Sequence, residues 1–370
     1  MRLVHKTLLV LSCVGLGALL FSYTSTSLGK VSSEKSADGT ESTVNVKSFQ
    51  EQQPSQNPSQ ASDSQGNTKT SATAEDKDAP SLTIVTMFLT LGTLQKGYGG
   101  LYNTHDKYKQ WMATWAWLTN HVIIFVDDED TLEYFKKIRT QQPAHRTVIV
   151  KIDRSHLDAF KNLERIKQIY SNSSYPKHPP NTINANYSCT MSAKYDVMTM
   201  ALDMGLVKTK YLAWMDIGLF RNLLEERLKP KNNSFTMEVP ADFNSSRVGF
   251  TQVSSRQAME RLSPWEYIRD NHVWVAGGHV MGTHEVIRTF ITSYKYVSQE
   301  LIKAGMSSTD QQVIGAMYSP QFRHLQKVDI QGYSCVDGQF GLHGSDVQYF
   351  CLSYICKEAG EKAKNRTSAL

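Results

Sequence analysis

The chain has 370 residues, is 40% hydrophobic and 20% charged, and carries a formal net charge of +5. Its mean hydropathy of −0.39 excludes a polytopic membrane protein, and 10% aromatic residues exclude a wholly disordered chain. Five cysteines are too few for a disulfide-built miniprotein, and +5 over this length is too weak for a nucleic-acid binder.

The composition is uneven along the chain. Residues 7–23 form one apolar run, preceded by Arg2, His5 and Lys6, and no acid occurs before Glu34. A positive flank before an apolar stretch is an export signal. No small-x-small cleavage site follows, because Phe21 and Tyr23 are bulky. Residues 1–23 therefore read as a cytosolic tip and an uncleaved signal anchor, a membrane helix that leaves everything after Tyr23 in the lumen. Such a short span suits the thin ER or early Golgi membrane. Cleavage would instead give a secreted protein. Residues 24–80 are mostly Ser, Thr, Gln, Asn, Lys, Glu and Asp, with Phe49 the only aromatic residue. They bury too little apolar surface to offset ordering, and read as a disordered stem.

The folded part, 81–358, alternates strand and helix patterns. Residues 81–89 are a short apolar, β-branched run, so a buried strand. A Gly-rich turn follows at Gly97, Gly99 and Gly100. Tyr108, Trp111, Met112 and Trp115 then recur at helical spacing and read as core. A second strand at 121–126 ends in Asp127 and Asp128, and a helix follows at 131–139. A third strand at 147–152 ends at Asp153, with a helix over 157–170. A helix over 191–204 closes at Gly205, and a fourth strand beginning at Tyr211 stops at Asp216. This order predicts an α/β fold with a mostly parallel, twisted sheet between helices. Ligands of such sheets bind beyond the carboxyl ends of the strands, where Asp127, Asp128, Asp153 and Asp216 all fall.

The second half is less regular. Residues 247–253 and 273–276 read as strands, the latter running into Gly277-Gly278. Ile287, Phe290, Ile291, Tyr294 and Leu301 mark one face of a long helix ended by Gly305. Thr309 and Gln312 frame Asp310 as a capping box that opens the next helix. Residues 359–370 read as a flexible tail. There is no GxGxxG after the first strand, no P-loop, and no GxSxG or HExxH motif.

Five Asn-x-Ser/Thr sequons, at Asn172, Asn186, Asn232, Asn244 and Asn365, lie on the side that the anchor sends to the lumen. Cys13 lies in the apolar run. Cys189, Cys335, Cys351 and Cys356 are an even set, which suggests two disulfides in an oxidising compartment. Their connectivity is open; Cys351 to Cys356 is one plausible short loop, leaving Cys189 to Cys335.

Four pieces stand in order: Trp214-Met-Asp216-Ile-Gly218, Gly277-Gly278, Asp310-Gln311 and His343-Gly344. With the anchor and stem, this order resembles a type II membrane glycosyltransferase of GT-A fold. More narrowly, Asn186-Tyr-Ser, Ser192-Ala-Lys194 and Tyr211-Leu-Ala-Trp-Met-Asp216-Ile-Gly218 resemble the HtrL/YibB family, over residues 81–355. The resemblance implies a nucleotide-sugar donor and a glycan or glycoprotein acceptor. It implies Mn²⁺ at Asp216 and His343, stabilising the diphosphate leaving group. It places Asp127 or Asp128 near the base and ribose, and Gly277-Gly278 near the sugar or acceptor. Asp310 becomes the candidate base, and Lys194 either meets a phosphate or stays on a solvated helix face. One position departs from the GT-A pattern: the second carboxylate of Asp-x-Asp is Gly218, which puts the metal in question. The alternative to an enzyme is a non-catalytic module of the same fold that binds glycan or protein.

Overall fold

The computed structural model describes residues 80–367. The expected anchor at 1–23 and nearly all of the 24–80 stem lie outside the described residues. No helix among the described residues is long and apolar enough to cross a membrane.

The chain opens with strand β1 (Leu82–Phe88), a hairpin of β2 (Leu94–Lys96) and β3 (Leu101–Asn103), and helix α1 (His105–Met112). Then come β4 (His121–Val126), α2 (Glu129–Ile138), β5 (Thr147–Lys151), α3 (Leu163–Ser171), α4 (Ala185–Asp203) and β6 (Tyr211–Met215). The second half holds β7 (Val248–Gln252), the short helices α5 (Arg256–Met259) and α6 (Pro264–Arg269), and β8 (Val275–Thr283). It continues with α7 (His284–Lys303), α8 (Asp310–Met317), β9 (Ile330–Tyr333) and α9 (Ser345–Thr367).

Seven strands form one sheet in the order β5-β4-β1-β6-β8-β7-β9. β1, β4, β5 and β6 run parallel, and β9 is parallel to β7. β8 is antiparallel to both of its neighbours. The mostly parallel α/β sheet expected from the sequence is therefore present, with one reversed strand. β1 is buried along its whole length because both of its faces are covered. Val85 and Met87 join the core under α3, α4, α7 and α8. Leu82 and Ile84 join the core under α1, α2 and α9. The molecule is thus three layers, helices on either side of a sheet.

Two expectations change. The expected tail is helical as far as Thr367, as the end of α9. Gly360 lets that helix lie against the Thr236 backbone, because any side chain there would strike the Thr236 carbonyl. The Gly-rich turn is present as expected, at the tip of the β2–β3 hairpin. The disulfide joins Cys335 to Cys351, while Cys189 and Cys356 are buried free thiols. Cys351 and Cys356 share α9, where five residues carry a side chain about 140° round the axis and 7.5 Å along it. They cannot be bridged without unwinding that helix.

Candidate functional site

β1 stands in the middle of the parallel run, with β4 on one side and β6 on the other. The chain leaves β1 toward β4 and β5, then returns to β6 on the far side. That reversal opens a crevice beyond the carboxyl ends of the strands. A cleft of about 230 Å³ lies there. Met87, Phe88 and Leu89 line it from the end of β1, and Trp214, Asp216, Ile217 and Gly218 from the end of β6. The hairpin adds Leu94, Lys96 and Asn103, α1 adds Tyr108 and Trp111, and α9 adds Tyr349 and Phe350. Asp216 is the only carboxylate on this lining.

Asp216 is held from three directions. Its backbone N–H donates to Gly278 O (2.8 Å). The Trp214 indole donates to its Oδ1 (2.7 Å). The Lys194 ammonium lies 3.8 Å from the same oxygen. The Asp216 side chain keeps 41% exposure toward the cleft, whereas Lys194 is 1% exposed and Asp310 3%.

Behind Asp216 is a buried ion pair. Lys194 Nζ donates to Asp310 Oδ2 (2.9 Å) and to Gly277 O (2.8 Å). Burial alone would lower the lysine; Asp310 and Asp216 outweigh it and hold the ammonium above its ordinary value. Burial raises the Asp310 carboxyl above the usual carboxylate range, with Lys194 pulling it back. Lys194 is therefore neither on a solvated helix face nor on the cleft wall. Asp310 does not reach the cleft either, so it is not placed to take a proton from an acceptor there. At the start of its helix the Thr309 hydroxyl donates to Gln312 Oε1 (2.7 Å) instead of capping the backbone.

Gly277 and Gly278 form no turn; they run through the middle of β8. The β7–β8 register shifts between Phe250 and Thr251, so β8 bulges there away from β7. The bulge brings Gly277 O to Lys194 and Gly278 O to Asp216. A Cβ at 277 would collide with the Asp310 carboxylate, and one at 278 would lie 3.4 Å from Asp216 Oδ2. Glycine permits this close approach.

Gly218 has a steric reason. A Cβ at this position would stand 2.6 Å from Trp111 Cε3. The indole occupies the space that a second carboxylate would need. The groups around Asp216 do not fit Mn²⁺: an indole N–H and an ammonium are hydrogen-bond donors, whereas this cation takes oxygen lone pairs. Among the described residues no group of three or more His, Cys, Asp or Glu could hold a metal ion. His343 is exposed, pairs with Asp337 (3.1 Å), and is not part of the cleft lining.

Positive charge enters the cleft from elsewhere. Lys96, on the hairpin, donates to the Tyr187 hydroxyl and lies over its ring, 4.1 Å from the centroid. Burial lowers its pKa from the ordinary value, with Tyr108 and Asp216 opposing. Arg221 packs its guanidinium on Trp111 and on Phe350. Asp346 orients it through a 2.6 Å ion pair. Neither cation was signalled by the sequence: Lys96 sits on a three-residue strand, and Arg221 in a 3₁₀ turn after Gly218. Tyr108 and Trp111, read as core, line the cleft, while Met112 and Trp115 are core as expected.

Asp127 and Asp128 are taken up locally. Asp127 pairs with Arg154 and accepts from Thr90 N. Asp128 caps α2, accepting from Thr131 N (2.7 Å). Neither lines the cleft. Of the five sequons, Asn172, Asn232, Asn244 and Asn365 are exposed. Asn186 lies in the first turn of α4, and Ser188 of its sequon is buried with its hydroxyl bonded to Asn181 O.

Protein HtrL of Escherichia coli (strain K12) is 26% identical over 227 residues, spanning 59% of this chain and 75% of that protein. Two solved structures are similar at 13% identity. Mouse xyloside xylosyltransferase 1, in its apo form, aligns over 73% of this chain and 93% of its own, with a TM-score of 0.35. The mannosyltransferase Ktr4p of S. cerevisiae aligns over 75% of this chain and 81% of its own, with a TM-score of 0.41. The family model described as "Bacterial protein of unknown function (HtrL_YibB)" matches residues 80–334, so the chain belongs to the HtrL/YibB family.

Proposed function

We propose that this protein is a glycosyltransferase that moves a sugar from a nucleotide-sugar donor to a glycan or glycoprotein acceptor. The observation that carries the reading is the cleft itself: one carboxylate, Asp216, shares an aromatic-walled crevice at the strand ends with the cations Lys96 and Arg221. Aromatic faces suit a base and sugar rings, and the two cations suit a diphosphate. In the reaction, the bond from the anomeric carbon to the diphosphate oxygen breaks and its electron pair stays with the diphosphate. The acceptor oxygen bonds to the anomeric carbon, and its proton passes to Asp216 as general base. Such a single displacement inverts the anomeric centre. Lys96 and Arg221 meet the negative charge that builds on the leaving group. Mn²⁺ takes no part in this step, because the groups around Asp216 do not fit it.

The apolar run at 7–23, its positive flank and the Cys335–Cys351 disulfide support a lumen-facing, single-pass type II placement in the Golgi or ER membrane. The exposed sequons are consistent with N-glycosylation at that location.

The test is a thermal-shift panel of nucleotide sugars and free nucleotides on the full-length chain, with and without Mn²⁺. Stabilisation by one donor class, lost in Lys96→Ala, is expected. Stabilisation by none of them, in either buffer, would sink the reading. Stabilisation without turnover on any acceptor would instead favour a binding module of the same fold.

A further inference from the structure

We infer that this cleft takes a nucleoside diphosphate without any divalent cation, and that Lys194 is the built-in cation that positions Asp216 in place of a metal. The inference rests on the glycosyltransferase reading and deepens it.

Three observations carry it. First, Trp111 occupies the space beside Gly218, so a second carboxylate has no room. A divalent ion here would have one protein carboxylate, whose Oδ1 already accepts from the Trp214 indole. Second, a cation already stands behind Asp216. Lys194 is anchored at two points, Asp310 Oδ2 and Gly277 O, and its third donor direction is left for Asp216 at 3.8 Å. Two glycines in a bulged strand let this cluster close, which is a built arrangement and not a chance surface pair. Third, charge for the leaving group is available on the cleft wall, from Lys96 and Arg221.

The roles then divide. Lys96 and Arg221 face the diphosphate. Lys194 touches no substrate; it is a positioning residue that acts through Asp216. Asp310 anchors Lys194 and takes no part in proton transfer.

The experiment measures binding of UDP and GDP to the full-length chain by calorimetry, in EDTA and in Mn²⁺. One of them is expected to bind with a Kd that agrees within about twofold between the two buffers. The second arm uses Lys194→Met with Asp310→Asn, which removes both buried charges together and leaves neither unpaired. This double variant frees Asp216 to accept a cation, so its diphosphate binding is expected to become Mn²⁺-dependent, by about tenfold. A lysine with a purely structural role would not produce that gain. Binding by the parent only in Mn²⁺ overturns the inference and leaves the glycosyltransferase reading standing. No diphosphate binding in either buffer overturns both. A folded double variant with unchanged, metal-independent binding removes Lys194 from the positioning role.

Discussion

The indole of Trp111 lies on Gly218 so closely that a Cβ at 218 would stand 2.6 Å from its Cε3. This contact leaves no room at 218 for the second carboxylate of the GT-A pattern. Gly218→Asp should therefore not restore a metal site. It should push the indole out of place and destabilise the fold by about 1–3 kcal/mol, the usual cost of overpacking. Urea denaturation checks this, and Trp111→Ala in the same chain should relieve part of the clash. A Gly218→Asp protein as stable as the parent would show that the contact is not a constraint.

Lys194 and Asp310 form a pair that tolerates loss of both charges better than loss of one. Lys194→Met alone leaves a buried carboxylate without its partner and should cost about 3–5 kcal/mol. Adding Asp310→Asn should recover a large part of that. Denaturation of the parent, both single variants and the double variant closes the cycle. Strictly additive losses would mean that the two side chains do not act as a pair.

The four cysteines among the described residues should differ in reactivity. Cys335 and Cys351 close a loop with a sequence separation of 16, and removing their bond should cost about 3 kcal/mol by loop closure. Burial pushes the Cys189 thiol up to about 12 and the Cys356 thiol higher still. Reduction followed by alkylation under native conditions should label the half-buried Cys335 and spare the buried Cys189, Cys351 and Cys356. Peptide mass mapping reads the result; labelling of Cys356 before Cys335 would contradict the pairing.

Much of the sheet was legible because strands buried on both faces are apolar and β-branched. The expected strand at 121–126 matches β4 residue for residue, and 81–89 brackets β1. The expected strand at 273–276 stops short, because β8 runs on through Gly277-Gly278. The glycines are there for close approach, and the strand continues to Thr283. α9 carries no clear helix signal in the sequence, because Phe350, Cys351, Leu352, Tyr354 and Cys356 are all buried, which leaves no single apolar stripe to read. The site was legible only at Asp216 and the glycine pair. Lys194 finds its partner 116 residues away, and neither local spacing nor charge pattern could say that it was buried. Asp127 and Asp128 were read as ligand groups because they end a strand, yet an Asp at that point also serves as a helix cap.

Asp128 gives a pH-dependent prediction. Burial alone would raise its carboxyl, but hydrogen bonds from Thr131 and Thr90 outweigh it and hold the pKa below the ordinary value. A lowered folded-state pKa means stability that is present above the unfolded value, about 3.9. That stability is lost as pH falls through the folded value. Asp128→Ala should cost about 1 kcal/mol at pH 7, as for other N-caps, and progressively less in acid below about pH 4. Denaturation at several pH values tests this. A cost that grows in acid would have the wrong sign.

We propose Asp216 as the base of a sugar-transfer cleft. Its most direct test is release of nucleoside diphosphate from nucleotide sugars by the full-length chain, parent against Asp216→Asn. The amide keeps an oxygen to accept from Trp214 but cannot take a proton. With that role, the parent should release diphosphate from at least one donor, and the variant should lose about 10²–10⁴-fold. Equal release by both proteins would contradict it.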